Sequence, residues 1–196
     1  MKFRFIYTIE NEVSEVVSTL ESADWLIENR YAVVLPGNMT LEQFDISLVR
    51  QSVEQEFVLH KPAYESLTKN LQADLESRMS VLESYFVRLG FQVPKEVEVF
   101  FTAYGTQGSY DLPNMVTIRL NLAGRNVSDV IIHELTHLIV EEPVVLKKNL
   151  TQDEKENLLD WLLTETELKD IVPDYVLQDN YREPSEELQN IFLAHR

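Results

Sequence analysis

The order of apolar patterns along this 196-residue chain predicts an α+β fold. Three observations carry the prediction. A period-two stretch opens the chain, a block of short strands runs through residues 96–121, and helices with apolar stripes flank that block. No regular strand–helix–strand alternation links them, so a doubly wound parallel sheet is not expected. The expectation is a small mixed or antiparallel sheet over the two helices that follow it, with an N-terminal α/β extension. Residues 1–92 form the extension and residues 93–196 the main domain, or the two make one unit.

Each element has a local signal. Phe3, Phe5, Tyr7 and Ile9 alternate as in a half-buried strand. Residues 13–29 suit a helix. Residues 31–35 are a β-prone run closed by the turn signal Pro36, Gly37, Asn38. Thr40 is placed to cap a helix over residues 41–59, with Phe44, Leu48 and Val49 on its apolar face. Pro62 fits the first turn of a second, longer helix. Leu67, Leu71, Leu75, Met79, Leu82, Phe86 and Leu89 form its stripe, which reads as core packing, and Gly90 ends it. Strands follow at residues 96–104, at Ser109 and Tyr110, and at residues 115–121, where Val116, Ile118 and Leu120 alternate. Residues 123–126 break the last strand, and Asn126 or Ser128 can cap the next helix.

Composition narrows the function. The formal charge is −16, from 17 basic and 33 acidic residues. Such a surface repels phosphate backbones and anionic lipid, which argues against nucleic-acid and membrane partners. Without cysteine there are no disulfides, thiolate metal sites or cysteine nucleophiles. The N-terminus has no apolar core of signal-peptide length, and no segment reaches the roughly 20 apolar residues of a membrane span. A cytoplasmic location is the default expectation.

The chemistry lies in the helix after residue 126. His133, Glu134 and His137 form His-Glu-x-x-His within an otherwise apolar run. Residues four apart share a helix face, about 6 Å apart along the axis. Two imidazoles so placed can converge on one metal ion, and neutral imidazole suits zinc. Glu134 points partly away from that face, where it can reach a water and take its proton. Burying the three together is costly unless something satisfies them. The bland alternative is a pair of satisfied core or surface histidines. Pro143 and Val140 occupy the places where one class of such proteins carries a third histidine and a glycine, which excludes that class. Glu141 lies about 12 Å along the axis from His133, too far to close on the same ion. A third ligand therefore has to come from another helix. Pro143 ends the first helix, and Thr151, Gln152, Asp153 and Glu154 form a capping box for the next. Glu156 and Asp160 share a face of that helix among leucines and Trp161, where two unpaired carboxylates are unexpected, although surface acids would be the plainer reading.

With 18 residues between His137 and Glu156 and an acid four residues further on, the run from His133 to Asp160 resembles the gluzincin metallopeptidases, particularly small, minimal ones. The resemblance covers roughly residues 96–165 and leaves residues 1–90 without a familiar pattern. It implies zinc held by His133, His137 and Glu156, Glu134 as general base and acid, and Asp160 orienting the first histidine. It implies an upper strand that pairs with extended substrate, matched in order by Gly108, Ser109 and Tyr110. It also implies a downstream tyrosine or histidine that stabilises the oxyanion, for which Tyr175, Tyr181 and His195 are candidates. No Gly-x-Met-x-Asn element precedes the zinc helix, so no clamp for a substrate N-terminus is implied. The expected activity is hydrolysis of a peptide or protein substrate. The competing expectations are a non-catalytic structural zinc, a regulator that uses residues 1–90 to bind a protein partner, and a latent enzyme whose acidic tail, with Glu183, Glu186 or Glu187, covers the cleft. His60 has no motif around it and reads as a surface or capping residue.

Overall fold

The alternating aromatic residues at the N-terminus form strand β1 (Lys2–Ile6), which runs parallel to β2 (Glu96–Thr102) with Phe3 opposite Val97 and Phe5 opposite Val99. The computed structural model describes residues 1–122, 125–178 and 180–193. Strand β4 (Met115–Arg119) lies parallel to β2 on its other side, and β3 (Gly108–Asp111) pairs antiparallel with β4. The sheet is therefore mixed, in the order β1-β2-β4-β3, with β3 at an edge.

Among the described residues six helices accompany the sheet: α1 (Ile9–Glu21), α2 (Ala23–Glu28), α3 (Ile46–Arg88), α4 (Val127–Val140), α5 (Gln152–Glu165) and α6 (Glu186–Leu193). Among the described residues no helix is long and apolar enough to cross a membrane. The stripe of α3 packs as expected, with Leu75, Leu82 and Phe86 fully buried. They share one core with Val97, Val99 and Phe101 of β2, Ile131, Ile132 and Leu135 of α4, and Leu158, Leu159 and Leu162 of α5. Each such side chain contributes about 1.5–3 kcal/mol on burial. The N-terminal strand and α3 thus belong to the same sheet and the same core as the helices that carry the motif. A second cluster joins α1 to α3 and Tyr104 through Val16, Leu20, Val49 and Val53. The carboxylate of Glu12 on α1 lies fully buried beside it, accepting from Thr102 Oγ1 at 2.6 Å and Ala103 N at 3.1 Å.

Several boundaries differ from the sequence reading, for local reasons. The two helices expected over 41–59 and from Pro62 are one helix of 43 residues with Pro62 inside it. Proline leaves the Val58 carbonyl without its helical donor, and Val58 and Leu59 are 71% and 74% exposed, so water can replace it. Asp45, not Thr40, caps α3, accepting from Ser47 N at 2.9 Å; Thr40 accepts instead from Gln43 N. The helix expected over 13–29 starts earlier, at Ile9, and breaks at Ser22 into α1 and α2. Of the β-prone run 31–35, Val34 alone pairs, with Gly105. Strands β2 and β4 each stop two residues short of their expected ends. Residues 123 and 124 of the expected break lie outside the described residues; Asn126 caps α4, accepting from Ser128 N at 2.9 Å. Pro143 does not end the helical path, because α4 runs on into a π-helical turn, Glu141–Leu146, that contains it.

Arg78 fixes α3 against the start of α4. Its guanidinium donates to Asp129 Oδ1 at 2.6 Å and to the Ile171 carbonyl at 2.9 Å, and pairs with Asp74, which also accepts from Ser128 Oγ. Removing one partner of a largely buried pair leaves the other desolvated and unpaired. Arg78→Ala should therefore lower stability by about 2–3 kcal/mol, read as a lower urea midpoint at unchanged slope.

Candidate metal centre

Helix α4 packs against β3 and β4 on one side and against α5 on another, which turns His133 and His137 towards Glu156. The Nε2 atoms of the two histidines stand 3.1 Å apart. Glu156 Oε2 lies 3.5 Å from His133 Nε2, and Oε1 lies 3.5 Å from His137 Nε2. Ligand atoms about 2.0–2.1 Å from a tetrahedrally bound zinc stand about 3.3 Å from one another. The imidazole pair and each imidazole's approach to its nearer Glu156 oxygen are close to that spacing, and one donor atom from each of the three residues lies within 4.8 Å of the others. Among the described residues this is the one group of three histidine or acidic side chains whose donor atoms converge in this way.

The position of Glu156 follows from the start of α5. Thr151 caps that helix and Glu154 answers it, its carboxylate accepting from Thr151 N at 2.9 Å, so the expected capping box forms. Glu156 then falls on the face turned to α4. Both of its oxygens are further held, Oε1 by Gln152 Nε2 at 2.7 Å and Oε2 by Gln178 Nε2 at 2.8 Å. Burial pushes this carboxyl up, but the adjoining His133 and His137 imidazoles outweigh it and hold it well below the usual carboxylate range. Burial lowers His137 to about 4, partly offset by Glu156, so its imidazole is neutral and keeps a lone pair for a metal. At His133 burial acts the same way, but Glu156 and Glu134 outweigh it and raise the pKa.

Asp160 reaches His133 through an intermediary. The Tyr175 hydroxyl donates to Asp160 Oδ1 at 2.7 Å and lies 2.7 Å from His133 Nδ1. Because its proton goes to Asp160, it accepts from Nδ1–H, which leaves Nε2 unprotonated and facing His137 and Glu156. The other oxygen of Asp160 accepts from Gln178 N at 3.0 Å, and the side chain is fully buried. Tyr175 thus stands behind the first histidine, with its proton committed to Asp160. His137 Nδ1 is buried with no partner among the described residues; its ring stacks on Tyr110 at 4.8 Å.

Glu134 lies beside the donors and outside their set. It is 7% exposed, and burial pushes its carboxyl up to about 7, with His133 pulling the other way. Gly108 of β3 makes room for it, since a Cβ there would lie 2.5 Å from Glu134 Oε1. Of the three residues expected on the upper strand, Gly108 touches Glu134, Tyr110 covers His137, and Ser109 pairs with Thr117 across the sheet. The Tyr110 hydroxyl donates to Glu141 Oε2 at 2.6 Å and accepts from Lys155 Nζ at 3.1 Å, so Glu141 serves the tyrosine.

The other candidates lie elsewhere. Tyr181 faces the charges of Glu165, Glu183 and Asp160. His195 lies outside the described residues. His60 meets the edge of Tyr104 at 6.1 Å. In the acidic tail Glu183 accepts from Gln189, Glu187 pairs with Lys148, and Glu186 is exposed at the start of α6. Sequence reasoning missed Gln152, Gln178 and Lys155. Gln152 had a signal, because Gln and Glu four apart on a helix face pair readily. Gln178 had none, because it comes from an irregular segment.

No family model, no curated protein and no solved structure matches the chain. The ligand geometry has a direct test. Tyr175→Phe removes the hydroxyl that orients His133 while keeping the ring stacked on it. Zinc affinity, read by competition with a chromophoric chelator, should fall about 10–100-fold. Tyr181→Phe should leave it unchanged.

Proposed function

We propose that the protein is a zinc-dependent peptidase of gluzincin type, which hydrolyses a peptide bond in an extended peptide or protein substrate. The observation that carries the proposal is the convergence of His133, His137 and Glu156, whose imidazole Nε2 atoms stand 3.1 Å apart and each 3.5 Å from one of the two Glu156 oxygens, with Glu134 held beside them. Two imidazoles and a carboxylate suit zinc, and three protein ligands leave a position for water or substrate, whereas structural zinc sites are closed by four. When bound, zinc lowers the pKa of water and polarises a carbonyl.

The remaining chemistry belongs to the chain. Glu134, close to neutrality in its pKa, takes a proton from the attacking water as the oxygen bonds to the carbonyl carbon. It passes that proton to the nitrogen as the carbon–nitrogen bond breaks, so the products are a carboxylate and an amine. Gln152 and Gln178 keep Glu156 in place, and Tyr175 keeps His133 in its metal-binding tautomer. The outer edge of β3 has no strand partner among the described residues, which suits substrate added as a further strand. Its one glycine lets that strand lie close over Glu134.

Elemental analysis of untagged protein should give near one zinc per chain, and much less in Glu156→Ala. Glu134→Gln should keep its zinc yet lose at least about a hundredfold in turnover of a peptide library. Full activity in zinc-loaded Glu134→Gln would refute the role given to that residue. Zinc in neither wild type nor variant, even after addition, would refute the metal site.

A further inference from the structure

In a chain with 33 acidic residues, Lys155 stands beside the histidine–glutamate cluster without a carboxylate partner among the described residues. Arg78, Arg88 and Lys148 each pair with one. Lys155 follows the capping box on α5 and directly precedes Glu156. Its Nζ donates to the Tyr110 hydroxyl at 3.1 Å and lies 5.3 Å from the centre of that ring, which in turn stacks on His137. An ammonium has three N–H bonds. The Tyr110 hydroxyl takes one, and the other two have no acceptor among the described residues.

A cavity of about 230 Å³ opens beside Lys155, between the π-helical turn and the start of α5. Three of its lining side chains tie it to the metal ligands. Gln152 donates to Glu156 Oε1 at 2.7 Å. Lys155 and Glu141 both bond to the hydroxyl of Tyr110, the ring that covers His137. That hydroxyl accepts from one and donates to the other, which keeps the two from closing on each other. Leu146 and Leu150 supply an apolar wall. Along β3, Gly108 and Tyr110 are two residues, about 7 Å, apart. A substrate strand on that edge, with its scissile bond by Gly108 and Glu134, therefore carries a neighbouring residue past Tyr110 to the cavity.

We propose that this cavity receives the part of the substrate next to the scissile bond, and that Lys155 selects a carboxylate there, carried by an acidic side chain or by the C-terminus of the substrate. The inference rests on the peptidase reading and deepens it, by naming the chemical class of substrate. A hydrogen bond from an ammonium to a carboxylate is charge-assisted, and an amide of the same shape offers a weaker acceptor. An apolar wall with one convergent cation is the usual make-up of a site that fixes a small polar group.

The test uses the full chain loaded with zinc, as wild type and as Lys155→Met. Its substrates are peptides that differ at one place only: Glu against Gln and Lys on either side of the cleaved bond, and a free against an amidated C-terminus. Wild type should favour the carboxylate over its amide at least about tenfold in kcat/KM, and Lys155→Met should bring that ratio close to one. A preference for Glu means cleavage beside acidic residues, and a preference for the free C-terminus means removal of C-terminal residues; both support the inference. A hydroxamate with a carboxylate arm, against the same probe with a carboxamide arm, should show the same loss of preference in binding without turnover. Wild type that cleaves peptides without preferring either carboxylate overturns the inference and leaves the peptidase reading standing. So does a ratio that survives in Lys155→Met while the absolute rates fall, because Lys155 then only supports Tyr110. A preference for Lys over Glu and Gln assigns recognition to Glu141 and overturns the inference too. Zinc-loaded wild type that cleaves no peptide overturns the peptidase reading, and the inference with it.

Discussion

Holding two imidazoles and a carboxylate within 3.5 Å of one another inside an apolar core constrains nearly everything around them. Lone pairs aimed at a common point repel one another, and desolvation makes each polar group costly. A cation between them reverses both effects. The fold has to bring the partners together from two helices and keep them in register. It does so with local devices: the capping box that starts α5, the Asn126 cap that starts α4, and the Arg78 guanidinium that ties α4 to the long helix.

Outside the donors, every oriented group has a reason in hydrogen-bond bookkeeping. Glu156 offers one face to the histidines and has its other lone pairs answered by two glutamine amides. Asp160 is fully buried, and its two oxygens are used by Tyr175 and by a backbone N–H. Glu134 differs: burial raises its pKa to about 7, which suits a group that must both accept and return a proton. Gly108 is the spatial counterpart of that state, because any larger residue would push the carboxylate aside.

Much of this was legible in the sequence where the signal is periodic. His133, His137, Glu156 and Asp160 are all set by helical steps of four, and Thr151 announced the helix that carries the last two. The stripe from Leu67 to Phe86 foretold the buried face of α3. What stayed hidden is non-local or aperiodic. Nothing near Phe3 or Val97 says that they pair, since parallel strands 94 residues apart share no local pattern. Pro62 reads as a helix start, and only its exposed neighbours explain why the helix continues through it. Tyr175 sits in an irregular segment, so its place at the centre depends on tertiary packing. Tyr175 was legible as a site residue but not as the relay between Asp160 and His133.

The most direct test of the account is zinc K-edge X-ray absorption on the zinc-loaded full chain. It predicts four nitrogen and oxygen ligands near 2.0 Å, with outer-shell scattering from two imidazoles and one position answering to exchangeable solvent. A shell filled entirely by protein ligands, or one without the signature of two imidazoles, would contradict the claim that His133, His137 and Glu156 hold an open zinc.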